Sequence, residues 1–435
     1  MSTSRRILAL AVPAFAALVA QPLMMLADTW IVGHLGTVPL AGLGIGSGLL
    51  TTVTGLMIFL AYGSTAVVAR RIGAGQRADG IGLGVQAMWL AALLGAVVGV
   101  LVWAAAPWLA TALGADGEVR TQAVTYLRWS IPGLPGMLVM LAATGTFRGL
   151  ADARTPLALS IGSAALNLVL NVALVFGAGM GIAGAALGTA AAETALGAAA
   201  TALVSLQARR AGARMRPSRR GMAGSLAVGT PLLLRTVTLR IALLITTYVA
   251  AAQGAAGLAA HHVVMQVWGL MAYALDALAI AGQTIIGMAL GAGDAREARS
   301  STRLMTWWSV AAGGVIGVAA ALLRQPVAAF FAPDDDVRAL VAWLLVIVAA
   351  TLPLAGYVYL LDGVLIGAGD GRYLAAAGVV TVVAYAPVAL LALTAAQGRQ
   401  GLTWLWIAFT VVFMGARAVT LGLRARGDRW LRLGG

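Results

Sequence analysis

Between Asp79 and Asp116 the chain carries no ionisable side chain. A helix of about 20 apolar residues spans the hydrocarbon core of a bilayer, so this run crosses with residues to spare. Runs of this kind recur along the chain. Of its 435 residues 61% are hydrophobic and 10% charged, and the mean hydropathy is +0.92. Inside lipid every backbone N–H and C=O must be satisfied by protein, which for helix-length runs means a bundle of α-helices. The first apolar segment lacks the short core and small-residue cleavage site of a removed signal, and reads as a permanent span. The absence of Cys excludes disulfides and thiolate metal sites.

About twelve spans are expected, near 7–33, 39–69, 81–113, 120–148, 157–177, 181–208, 223–252, 256–290, 303–331, 338–366, 374–395 and 402–423. The net charge is +14 and every cation is Arg. On a soluble protein that balance would suggest nucleic acid. Here Arg gathers in the short connections, where it sets orientation in the membrane. With the N-terminus inside, 21 of the 29 Arg fall on the cytoplasmic side, which predicts that both termini are cytoplasmic. The acidic clusters Asp116/Glu118 and Asp334–Asp336 then fall outside. The longest polar stretch, Arg209–Met222, holds six Arg and no aromatic residue. We read 209–222 as a cytoplasmic linker between an N-terminal bundle, 1–208, and a C-terminal bundle, 223–435.

The two halves repeat. Pro13 matches Pro231, an offset of 231 − 13 = 218. The same offset pairs Gly36 with Gly254, Gly73-Ala74-Gly75 with Gly291-Ala292-Gly293, Gly145 with Gly363, Asp152 with Asp370 and Arg154 with Arg372. Six helices per repeat is an even number, so both halves share one orientation, as in transporters with parallel repeats. The fold expected is an all-α integral membrane protein of twelve transmembrane helices in two pseudo-symmetric six-helix bundles.

Four acids fall within expected spans: Asp28, Glu193, Asp276 and Asp362. A carboxylate at the bilayer centre costs about 2.5 kcal/mol or more, and marks an ion or substrate path or a paired charge. Asp28 lies in Pro13–Gly36, where Pro13 and Pro22 can interrupt the helical ladder. The alternative is an Asp reaching the headgroups at the outer helix end. At the repeat positions of Asp28, Asp276 and Asp362 stand Thr246, Ile58 and Thr144. These acids are thus not demanded by the shared scaffold. Asn167 and Asn171 are four apart and share a helix face. They line the cavity that Asp28 faces, or they bond neighbouring helices. Arg235 is expected to pair with Asp276 or Asp362, since buried charges pair. Arg240 pairs likewise or snorkels. Arg417 reads as a snorkelling residue near the inner end of the last span. His261 and His262 read as interfacial, and the role of Glu193 stays open. The glycine motifs GAGQ and GAGD lack a Walker Lys and are discounted as phosphate loops. No metalloprotease HExxH and no triad is present, so an enzyme is not expected.

The ordered motifs PLMMLADTWIVGHLG, RGLADARTPL, LNLVLNVALVFGAGMGIAGAALGT, LAAHHVVMQVWGL, LDALAIAGQTIIGMALGAGD and LDGVLIGAGD resemble the multidrug and toxic compound extrusion (MATE) transporters, and most of all their DinF-like branch. The resemblance covers nearly the whole chain. It implies two six-helix bundles, a V-shaped cavity, and export of organic, often cationic, compounds against inward H+ or Na+, with no other cofactor. It places Asp28 on the first-helix Asp used for ion coupling and Asn167 on a fifth-helix Asn of the same N-lobe site. Asn171 stands where some members carry a second Asp, which weakens a multi-carboxylate Na+ cage and favours H+. Asp276 and Asp362, with Arg235, form a C-lobe charge network. Alternatives are a lipid-linked precursor flippase, which would show a more cationic cavity than Arg235 and Arg240 supply, and an intramembrane enzyme. The expected partners are small organic substrates and the lipid bilayer, with no nucleic acid. The protein is expected in the cell membrane, multi-pass and working as a monomer.

Overall fold

The computed structural model describes residues 3–332 and 334–434. Among these residues there is no strand, and twelve helices are long and apolar enough to cross a membrane. They are α1 Thr3–Gly33, α2 Thr37–Gly73, α3 Arg77–Ala112, α4 Gly117–Gly149, α5 Arg154–Gly177, α6 Gly181–Ala211, α7 Arg219–Ala251, α8 Ala255–Gly291, α9 Ala295–Leu322, α10 Asp335–Gly367, α11 Gly371–Thr394 and α12 Gly398–Arg426. The expected twelve-helix reading holds. Pro13 and Pro22 sit inside an unbroken α1. Each still removes one N–H, so the carbonyls of Ala9 and Leu18 lose their partners four residues on.

The ninth span differs from its expected bounds of 303–331. It starts at Ala295, because the Asp294 side chain accepts from the Glu297 N–H at 2.7 Å and caps a charged first turn. It ends at Leu322, and a separate short helix follows, Arg324–Phe331. Pro326 has no N–H to donate to the Leu322 carbonyl, so the ladder stops there. At α10, Asp334 caps the Val337 N–H in the same way, at 3.0 Å.

The chain forms two compact units. One is Val12–Gly229; the other comprises the residues up to Ala11 and Thr230–Gly434. Within the first unit the segment 212–218 lies against α3. The Gln86 amide donates to the Arg216 carbonyl at 2.9 Å and accepts from the Ser218 N–H at 2.8 Å, and the Trp89 indole donates to the Met215 carbonyl at 3.0 Å. Large apolar side chains such as Val100, Trp108, Val315 and Leu322 are exposed, as a lipid-facing surface requires.

In the first unit the most apolar stretch of α4 is the most buried, 67% against 22% in α2; in the second unit α10 reaches 50% and α12 56%. The same contact recurs in both. A Cβ at Gly145 would strike the Ala61 carbonyl, and one at Gly363 would strike the Ala279 carbonyl. Both pairs obey the 218-residue offset, so small residues let the fourth helix touch the second in each unit. The turns after these helices match too. Ala151 has φ 59° and its repeat position Gly369 has φ 71°. Ala151 is the one described non-glycine residue with positive φ, and its left-handed backbone is the price of keeping that turn without glycine.

Candidate functional site

In the N-terminal unit α1, α5 and α6 bring a polar chain together. Asp28 is 7% exposed and accepts a hydrogen bond on Oδ1 from Asn171 Nδ2 at 2.6 Å. The same amide lies 3.3 Å from Asn167 Oδ1, and Asn167 Nδ2 donates to Thr189 Oγ1 at 3.0 Å. Thr189 donates onward to the Ala185 carbonyl of its own helix. The spacing of four places Asn167 and Asn171 on one face of α5, and both are fully buried. Gly188 permits the approach, because a Cβ there would collide with Asn171 Oδ1. Of the two sequence readings of Asn167 and Asn171, the structure shows bonds to neighbouring helices: both are buried against Asp28 and Thr189, and neither is among the residues lining the cavity.

Asp28 and Thr189 of this polar chain line a cavity that is partly open to solvent, and Asn167 and Asn171 lie buried behind it. Asp28, Tyr126, Ser130, Thr189 and Glu193 supply its polar wall, and Met24, Met25, Leu50 and Met137 its apolar one. No Arg, Lys or His is among the lining residues. Flexible Met side chains adapt to varied apolar shapes. The cavity can therefore hold an organic molecule of mixed character and present a carboxyl group to it.

The C-terminal unit treats the equivalent place differently. The repeat positions of Asp28 and Asn167 are Thr246 and Tyr385, which hydrogen-bond each other at 2.6 Å. Tyr126 and Ser130 are replaced there by Leu344 and Val348. The scaffold is repeated; the acidic, polar wall is not.

The second unit buries a charge cluster elsewhere. Arg235 on α7 grips Asp362 on α10 through both Nε, at 2.9 Å from Oδ1, and a terminal nitrogen. Arg417 on α12 approaches Asp362 Oδ1 at 3.4 Å. All three are at most 8% exposed. This corrects the expectation for Arg417. It does not snorkel: it points inward, 5.9 Å above the Phe413 ring and against Asp362. Its distance from the helix end suggested the interface, but its helical face decides its direction. Asp276 is half-buried on α8. His261 is buried within the second unit, 5.7 Å from Trp406 and 3.4 Å from Thr247 Oγ1. Among the described residues no three or more His, Cys, Asp or Glu gather as metal ligands.

Tyr126, Ser130, Thr189 and Glu193 are cavity residues whose place the sequence did not reveal. Glu193 gave a signal, an acid in an otherwise apolar span, but the cavity that gives it a setting is tertiary.

Twelve helices long and apolar enough to cross a membrane, in two repeated units of which one holds an acidic cavity, are the architecture of a helical membrane protein. The chain belongs to the MatE family, whose model matches residues 13–173 and again 231–391. The two matches are themselves 218 residues apart. The DNA damage-inducible protein F of Escherichia coli is 29% identical, over 97% of this chain and 91% of its own length. Protein DETOXIFICATION 44, chloroplastic, of Arabidopsis thaliana is 27% identical, over 95% of this chain and 80% of its own. A probable multidrug resistance protein NorM of Aromatoleum aromaticum is 29% identical, over 75% and 73%. Among solved structures, the Vibrio cholerae MATE transporter VcmN in its bent form superposes with a TM-score of 0.89 at 20% identity, covering 99% of this chain and 98% of that one. The protein is a MATE-family transporter of the multidrug and toxin efflux class.

Proposed function

We propose that the protein exports organic cations by alternating access in exchange for inward H+, with Asp28 as the coupling carboxyl. The carrying observation is that carboxyl, buried in a cavity without a basic lining residue and hydrogen-bonded to Asn171. An unpaired ionised carboxylate is costly to bury. It is neutralised either by a proton or by a cationic substrate, and competition between the two is exchange. Asn167 and Asn171 hold the carboxyl in place. Position 171 is a neutral amide rather than a second carboxylate, which weakens a multi-carboxylate Na+ cage beside Asp28.

The Arg235–Asp362–Arg417 cluster, with Asp276, serves as a charge network that holds the second unit together. A lipid-linked flippase is not favoured, since the N-terminal cavity has no cationic wall. The protein acts as a monomer in the cell membrane with both termini in the cytoplasm, the side to which the Arg-rich connections assign them. The plant relative named chloroplastic marks a different destination for that protein.

Purified protein in liposomes loaded with a fluorescent organic cation tests the reading. An imposed proton gradient should drive efflux in the absence of Na+. Efflux driven by a Na+ gradient alone, with none under a proton gradient, would overturn the ion assignment.

A further inference from the structure

We propose that Glu193 is a second exchangeable carboxyl in the N-terminal cavity, and that Asp28 and Glu193 together select organic substrates bearing two positive centres. The inference rests on the reading of this cavity as the exchange site and adds its charge class and stoichiometry.

Glu193 lies on α6 one turn beyond Thr189, so the two share a helix face. It is 6% exposed, lines the same cavity as Asp28, and interacts with Asp28 electrostatically. Among the described residues it makes no hydrogen bond or ion pair. Besides Asp28 and Glu193 the one titratable lining residue is Tyr126 from α4, the other polar lining groups are neutral, and Asn167 and Asn171 behind Asp28 are neutral too. None is a cation. Packing does not call for an acid here either. α6 meets α4 through backbone, since a Cβ at Gly136 would strike the Glu193 carbonyl at 2.6 Å and one at Gly197 the Gly136 Cα at 2.6 Å. The helix contact needs small residues, whereas the Glu193 side chain faces the cavity.

An acidic pair without a basic neighbour is neutral when both carboxyls carry protons. A substrate with two cationic centres displaces both protons and leaves the cavity neutral again. One with a single centre displaces one proton and leaves the other carboxyl protonated. Two H+ therefore enter for each dication exported, and one for each monocation, with charge balanced in both cases.

Methyl viologen and N-methyl-4-phenylpyridinium are similar in size and differ by one charge, which makes them suitable probes. Binding to detergent-solubilised full-length protein is followed by calorimetry, and released protons by an indicator in weak buffer, across about pH 5 to 9. Wild type should release up to two protons per methyl viologen and one per N-methyl-4-phenylpyridinium. Glu193→Gln, checked for folding by thermal melting, should release one proton with either probe. Its preference for the dication should fall by about tenfold, a typical size for one lost charge contact in a partly wet site. Glu193→Asp should restore the second proton. Two protons per methyl viologen from Glu193→Gln, or an equal loss of affinity for both probes, would overturn the proposal. Failure of wild type to bind either probe would instead bring down the cavity as an exchange site, and the proposal with it.

Discussion

Asp28, Asn171 and Gly188 form one device at the scale of single residues. The carboxyl is held by an amide, and the amide fits only because position 188 has no side chain. Gly188→Ala should push Asn171 away from Asp28, and gradient-driven efflux by the reconstituted variant should fall at least several-fold at normal expression. The Arg235–Asp362 pair makes a different prediction. Asp362 keeps Arg417 when Arg235 is removed, so Arg235→Ala should cost less than the about 3–5 kcal/mol of a fully stranded buried charge. Asp362→Asn, which leaves both arginines without their shared carboxylate, should lower thermal stability more. A double-mutant cycle in detergent checks this; strict additivity would show that the pair is not coupled. Asp28, Asn167, Asn171, Arg235 and Asp362 were legible in the sequence because a polar side chain inside an apolar span needs a reason. Arg417 and Glu193 were not, since nothing local says which way a helical face turns. The resemblance of motifs supplied the role of Asp28; its unrepeated position supplied an independent ground.

Small residues decide the contacts at the scale of helices. Gly145 on α4 and Gly363 on α10 each lie against a carbonyl of the second helix of their repeat. Gly363→Val would force the backbones apart, and overpacking of this kind costs about 1–3 kcal/mol or more. The variant should melt earlier than wild type, while a Val at Gly162, where a Cβ meets nothing within 4 Å, should not. The sequence showed these glycines as a repeat but not what they touch, because the offset carries no distances. It showed the twelve helices well, since hydrophobic length is a local property. It missed the break at Leu323, where Arg324, Gln325 and Pro326 interrupt the apolar run only briefly before Val327–Phe331 resume it.

The whole molecule is a duplicated scaffold in which one copy carries the acidic cavity and the other a neutral Thr246–Tyr385 contact. Duplication explains why the fold was readable: matched Pro, Gly, Asp and Arg at one offset are hard to produce by composition alone. The proposed orientation rests on Arg placement. Reporter tags at both termini and within 209–222 should be cytoplasmic, and one after Asp335 external; an external signal from 209–222 would contradict this topology. The account stands or falls on Asp28. Asp28→Asn keeps the size and the hydrogen-bonding partner but cannot ionise. Efflux of a fluorescent organic cation from proteoliposomes under an imposed proton gradient, measured side by side for wild type and this variant, tests that claim most directly. The variant should melt close to wild type and show no gradient-driven efflux. Wild-type rates with unchanged dependence on the proton gradient would contradict the account and move coupling away from the N-terminal cavity.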